Sequence, residues 1–176
     1  QTLDFKRPDE IVYIAGLTKD DLAGSEFLRL LNIKGGKVPT VNYDTNINVY
    51  KKIHKLIYNG IITACHDISD GGFAVAISEM AFSGGYGVLI KLDDLPYEGE
   101  ENYLYRLFSE SAGRLIFTSA KENHRYIMNI FKGLPVSPIG VVTDKDTLEI
   151  RYKNRTVVRE NINVLKDFWQ KTLRDL

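Results

Sequence analysis

Two carboxylates, a hydroxyl, an imidazole and two glycines stand together in His66-Asp67-Ile68-Ser69-Asp70-Gly71-Gly72. An apolar run, Ile61–Cys65, comes before them, and small and apolar residues follow from Phe73 to Phe82. That order predicts a strand, a turn and a helix. Such a unit can receive an anion, because the first N–H groups of a helix have no intrahelical partner and the peptide dipoles favour negative charge there. Gly71 and Gly72 would let the backbone approach a phosphate with no side chain in the way. Asp67, directly after the predicted strand, suits Mg²⁺, a hard cation that takes oxygen ligands and shares them with phosphates. His66 could bond to a substrate or to a neighbouring loop. The same residues permit a plainer arrangement, in which Ser69 or Asp70 caps the helix and the glycines only make the turn. The spacing is neither a dinucleotide GxGxxG nor a Walker loop.

Two other segments carry polar groups beside apolar ones. In Leu107–Phe117, "LFSESAGRLIF", Ser109, Glu110, Ser111 and Arg114 precede a predicted strand. The planar guanidinium of Arg114 suits phosphate or carboxylate, and serine hydroxyls could complete the shell. In Asp20–Phe27, "DDLAGSEF", Ser25 could offer its hydroxyl to a phosphate. Taken singly, the first segment also reads as a surface loop with a Glu–Arg contact, and the second as simple helix capping.

The elements that must hold these segments alternate. "EIVYIAG" (residues 10–16) predicts a strand, Glu26–Leu31 a short helix capped by Ser25, and residues 33–46 a loop punctuated by glycine and proline. Val49, Ile53, Leu56 and Ile57 recur at helical spacing, predicting a helix over Asn46–Gly60. Strands are expected at Tyr86–Leu92 and in "GRLIFTS", and a short helix between them. A helix in "KENHRYIMNIFKG" and two strands, "VSPIGVVTD" and "TLEIRYKNRTVV", follow. The two strands are close enough to form a hairpin, Val136–Val142 with Thr147–Tyr152. An amphipathic helix over about 159–173 ends the chain. Interleaved strands and helices mean an α/β layered domain, with a core over about 9–152 and the whole of 1–176 as one domain.

The chain has 176 residues, 44% of them hydrophobic and 26% charged, an ordinary composition for a globular protein. Lys+Arg and Asp+Glu both number 23, so the net charge is zero and no broad footprint for nucleic acid exists. Cys65 is the only cysteine, so it forms no internal disulfide and reads as a small buried hydrophobe. With three histidines it cannot build a Cys/His zinc cluster. No stretch approaches the length of a membrane span, and no signal peptide is visible. The cytosol is the expected compartment. Because the first residue is Gln1 and not Met, a fragment or a processed chain is expected.

In order, "GLTKDDLAGSEFLRLL", "ITACHDISDGGFAVAISEMAFSGGYGV" and "LFSESAGRLIF" resemble the C-terminal domain of the formylglycinamide ribonucleotide amidotransferase family, also called phosphoribosylformylglycinamidine synthase. The resemblance covers about Asp9 to Asp144. It implies a layered α-β-α fold with a mixed sheet, like the aminoimidazole ribonucleotide synthetase C-terminal domain. Selenophosphate synthetase and a hydrogenase-maturation protein belong to the same wider group, and either could be the nearer relation, as could a non-catalytic interaction domain. "DLAGSEF" and "FSESAGR" count against the first two. The family's synthetase carries two copies of this domain, and the HDISDGG wording resembles the second. In the first copy the Asp after this strand is a magnesium ligand, and a Glu-Ser-Gln triplet contacts substrate. The matching positions are Asp67 and Glu110-Ser111, with Ala112 in place of the Gln, which favours a structural or auxiliary nucleotide role. The implied reaction uses ATP to phosphorylate an amide oxygen, and ammonia from a glutaminase partner then displaces the phosphate. Most ATP contacts and the catalytic His would lie on an N-terminal ATP-binding domain outside this sequence, so the chain alone is expected to be inactive.

Overall fold

The computed structural model describes residues 1–174. Strand β1 is Ile11–Ala15 and β2 the two residues Thr18–Lys19; the short helix α1 is Glu26–Leu30. Helix α2 spans Tyr43–Tyr58, β3 Ala64–Asp67, α3 Gly72–Gly84 and β4 Gly87–Lys91. Then come β5 (Tyr97–Glu98), α4 (Tyr103–Phe108), β6 (Leu115–Ser119) and α5 (His124–Ile130). Strands β7 (Val136–Thr143), β8 (Thr147–Tyr152) and β9 (Arg155–Asn161) lead into helix α6 (Ile162–Arg174).

Seven strands form one mixed sheet in the order β3-β6-β1-β7-β4-β8-β9, while β2 and β5 pair apart from it. Every neighbouring pair in the large sheet is antiparallel except β4 with β8. Side chains alternate across the sheet, as the two-residue period of a strand requires. In β1, Val12 and Ile14 enter the core under α3, whereas Tyr13 and Ala15 enter the core under α2. Ile116 and Phe117 of β6 divide in the same way. The first core takes Phe73, Ile77 and Met80 of α3, Leu107 of α4 and Ile162 of α6. The second takes Val49, Ile53 and Leu56 of α2 and Ile127 of α5. A layered α-β-α arrangement with a mixed sheet results, as expected.

Four boundaries and one strand pairing differ from the sequence expectation. Helix α2 begins at Tyr43 because the Asn42 side chain caps it, accepting from the Thr45 N–H at 3.0 Å. The third strand sits later than "IITAC", over Ala64–Asp67, so Asp67 is its last residue and not part of the turn. "TLEIRYKNRTVV" is two strands, since Lys153 and Asn154 both adopt positive φ and turn the chain into a β8–β9 hairpin. The expected hairpin between the strands at 136–142 and 147–152 does not form, because β4 lies between them. Strand β9 also occupies 155–161, so the last helix begins at Ile162 and not near 159.

Candidate functional site

Asp67 closes β3 with its side chain 68% exposed, and His66 Nδ1 lies 3.4 Å from its Oδ1. The other ring nitrogen, Nε2, is 2.7 Å from Glu79 Oε2 on α3. His66 thus bonds within the fold, to the helix its own turn introduces. A cavity borders Cys65, His66 and Asp67 together with Thr2, Asp4 and Ser83. Burial pushes the Cys65 thiol up to about 11. Among the described residues no group of three or more His, Cys, Asp or Glu is gathered to hold a metal ion. Asp67 alone offers one carboxylate, which fits Mg²⁺ only where phosphates and waters supply the remaining ligands.

The turn after Asp67 is held from a distance. Gly71 caps α3 in a left-handed conformation with no side-chain cap, so neither Ser69 nor Asp70 plays that part. The Gly71 N–H donates to Glu110 Oε1 at 2.9 Å, and the Gly72 N–H donates to the Ser69 carbonyl at 3.0 Å. The same Glu110 oxygen accepts from the Glu26 N–H of α1, also at 2.9 Å. One carboxylate therefore joins the starts of two helices, where their dipoles favour negative charge. Gly72 serves close packing: a Cβ there would stand 2.6 Å from the Ser109 carbonyl oxygen and 2.9 Å from that of Leu107. What approaches this glycine is the chain's own backbone.

The remaining candidates also have internal partners. Ser25 is buried, and its Oγ accepts from the Leu28 N–H at 3.3 Å, capping α1. Ser111 Oγ accepts from the Lys19 N–H at 3.0 Å. Arg114 is buried; its Nε donates to the Ser111 carbonyl, Nη1 to Thr18 Oγ1 and Nη2 to the Ser109 carbonyl. Burial pushes the guanidinium down to about 10, against the pull of Asp21 and Glu110. The structure gives Ser25, His66, Gly71, Gly72, Glu110, Ser111 and Arg114 hydrogen-bond partners within the chain. It brings Ser25, the glycine turn and Glu110 to one junction, with Ser111 and Arg114 behind it, while the Asp67 carboxylate faces solvent.

One polar residue went unnoticed in the sequence. Asp21 is 4% exposed, its Oδ2 has no hydrogen-bond partner, and it lines a separate cavity of about 370 Å³ with Lys19, Asn42, Asn46 and Ser111. Its only signal was a second acidic residue in "DDLAGSEF" beyond what capping needs.

A mixed sheet with helices on both faces, a strand–turn–helix unit and a carboxylate joining two helix starts define a layered α/β domain built to hold loops at one junction. The chain belongs to the family described as AIR synthase related protein, C-terminal domain, which matches residues 8–153. It is 34% identical over 165 residues to the phosphoribosylformylglycinamidine synthase subunit PurL of Thermococcus sibiricus, covering 94% of this chain and 23% of that protein. Its fold is similar to Thermotoga maritima PurL complexed with FGAR, with a TM-score of 0.80, 19% identity, and coverage of 93% of this chain and 29% of that one. T. maritima PurL complexed with ATP is similar too, with a TM-score of 0.73, 20% identity and coverage of 93% and 27%. The chain thus spans about a quarter of the length of these proteins. No helix among the described residues is long and apolar enough to cross a membrane.

Proposed function

We propose that this chain is a C-terminal α/β domain of a phosphoribosylformylglycinamidine synthase, the ATP-dependent ligase that forms an amidine in purine biosynthesis. It works beside an N-terminal ATP-binding domain of the same protein, with ammonia supplied by a glutaminase, in the cytoplasm. The identity with the Thermococcus PurL subunit over nearly the whole chain carries this reading.

The geometry supports a framing part in that reaction. With Glu110 on the Gly71 and Glu26 N–H groups, the turn at 67–72 keeps a fixed shape without a bound anion. Asp67 stands exposed at the strand end, beside His66, as the residue that would hold Mg²⁺; bound there, the ion would neutralise phosphate charge. The chain supplies one carboxylate and a rigid turn, and the rest of the nucleotide site belongs to another domain. Leu30, Ile33, Val38, Val41, Tyr43 and Ile47 are exposed on one stretch of α1, loop and α2, an apolar face of the kind another domain covers.

Calorimetric titration of MgADP into the full-length protein and its Asp67→Asn variant tests the assignment. Binding at this copy at least about tenfold weaker in the variant is expected from loss of a charged ligand. Equal affinity would remove Asp67 from the metal site, and amidine formation by the 176-residue chain alone would refute the framing role.

A further inference from the structure

Charge is unevenly spread over a chain whose total is zero. Helices α2 and α5 form one layer over the second core, and Lys52 of α2 ties them by donating to the Ile130 carbonyl at 2.7 Å. Residues 43–60 and 120–134, which contain these helices, carry the six cations Lys51, Lys52, Lys55, Lys121, Arg125 and Lys132. Against them stand two carboxylates, Asp44 and Glu122. Lys121 pairs with Asp9 at 3.3 Å. Lys51, Lys55, Arg125 and Lys132 are exposed and make no ion pair among the described residues. Tyr58 and Tyr126 stand on the same layer, 85% and 44% exposed, and tyrosine is enriched where protein surfaces meet.

The opposite charge is concentrated elsewhere. Residues 93–101 include five carboxylates, Asp93, Asp94, Glu98, Glu100 and Glu101, and no cation. Lys153 engages Glu101 with its ammonium and Asp93 with its backbone N–H. Asp94, Glu98 and Glu100 are exposed and make no ion pair among the described residues. Leu92 and Leu95 root this segment in the first core, under α3, while the basic layer covers the second core across the sheet. Within one copy the two patches do not pair, but a neighbouring copy can bring them together. Zero net charge leaves no overall repulsion against that approach, and complementary patches steer it. A long polyanion is less well matched, because the chain's exposed carboxylates oppose it as strongly as the basic layer attracts it.

We propose that the basic layer of α2 and α5 docks the acidic segment 93–101 of a second copy of this chain. The two patches differ, so the contact is heterologous and adds copies head to tail in place of closing a two-fold dimer. The contact involves neither Asp67 nor nucleotide, and it stands apart from the synthase reading.

Sedimentation of the 176-residue chain at about 0.01 M and about 1 M salt tests it, since the Debye length falls from about 30 Å to about 3 Å between them. The weight-average mass is expected to rise with concentration at low salt and to return to that of a single chain at high salt. A basic-layer variant, Lys51→Gln with Lys55→Gln and Arg125→Gln, should self-associate at least about tenfold more weakly. An acidic-segment variant, Glu98→Gln with Glu100→Gln, should do the same. Mixed together, the two variants keep one intact contact, the acidic segment of the first with the basic layer of the second. They should form a pair of one copy each and nothing larger. All five side chains are exposed, and melting temperatures close to the parent's establish folding; if one variant unfolds, the other's self-association decides. Monomers at low salt, association unchanged by salt or by a folded variant, a closed dimer, or a monomeric mixture of two folded variants overturns the proposal. A monomeric chain whose α2 and α5 amides shift with oligothymidylate overturns it in favour of nucleic acid. The same shifts with poly-L-glutamate overturn it in favour of a different acidic protein.

Discussion

Glu110 Oε1 takes N–H groups from residues 39 and 84 positions away in sequence, so its loss disconnects α1 from the α3 turn at once. Glu110→Ala is expected to destabilise the chain by about 2–3 kcal/mol, the range for hydrogen bonds to a charged group. For a chain of this size that lowers Tm by about 4–12 °C. Glu110→Gln keeps an acceptor without the charge and should lose less than the alanine variant. Thermal melts of the three proteins check the order, and equal melting temperatures would show that the carboxylate holds nothing. Cys65 gives a pH-dependent counterpart. Burial raises its thiol from an ordinary 9.0 to about 11, so the folded chain holds that proton more tightly than the unfolded one. Its contribution to stability is complete below pH 9 and declines as pH rises through 11. Alkylation at pH 8 should run about 100-fold slower than for a free cysteine with the ordinary value, since only the thiolate reacts. A rate profile with its midpoint near pH 9 would contradict the burial.

At the scale of elements, α6 is tied to the turn helix through one carboxylate. Glu79 accepts from Trp169 Nε1 at 3.1 Å with one oxygen and meets His66 with the other. Phe82 packs against the Trp169 ring, 5.7 Å between centroids. Trp169 is the only tryptophan, so its emission reports this junction alone. Glu79→Ala should shift that emission to the red and cost less than about 1 kcal/mol, because the partners are partly solvated. Unchanged emission would mean that α6 is seated by Leu165 and Ile162 without the tether. The helix itself was legible in the sequence through its amphipathic spacing, as were α2 and the period-two strand cores. Strand order was not, because placing β4 between β7 and β8 depends on contacts remote in sequence. The site divided along the same line. The strand, glycine turn and helix around Asp67 could be read from neighbouring residues. That Glu110 would accept from the Gly71 and Glu26 N–H groups, and that Arg114 would face inward, depended on pairings across the fold. Asp21 escaped notice because an unpaired carboxylate is visible only once its surroundings are known.

For the whole molecule, the apolar face from Leu30 to Tyr50 separates what the chain does alone from what it does in a longer protein. Tyr43 is 79% exposed and Ile47 48%, on consecutive turns of α2 and away from the buried side made by Val49, Ile53 and Leu56. Exposed side chains of this kind contribute little to the fold, so Tyr43→Lys with Ile47→Glu should change stability by no more than about 0.5 kcal/mol for each substitution. If the face is where the ATP-binding domain sits, the same pair puts two charges into an apolar contact, where desolvation costs several kcal/mol. The double variant should therefore leave the melting temperature of the 176-residue chain nearly unchanged. It should also abolish capture of a separately expressed ATP-binding domain of the same protein in analytical ultracentrifugation. Retained capture would move the docking surface elsewhere on the chain and leave the apolar face without that partner. A large fall in melting temperature would show instead that these side chains support α2, contrary to their exposure.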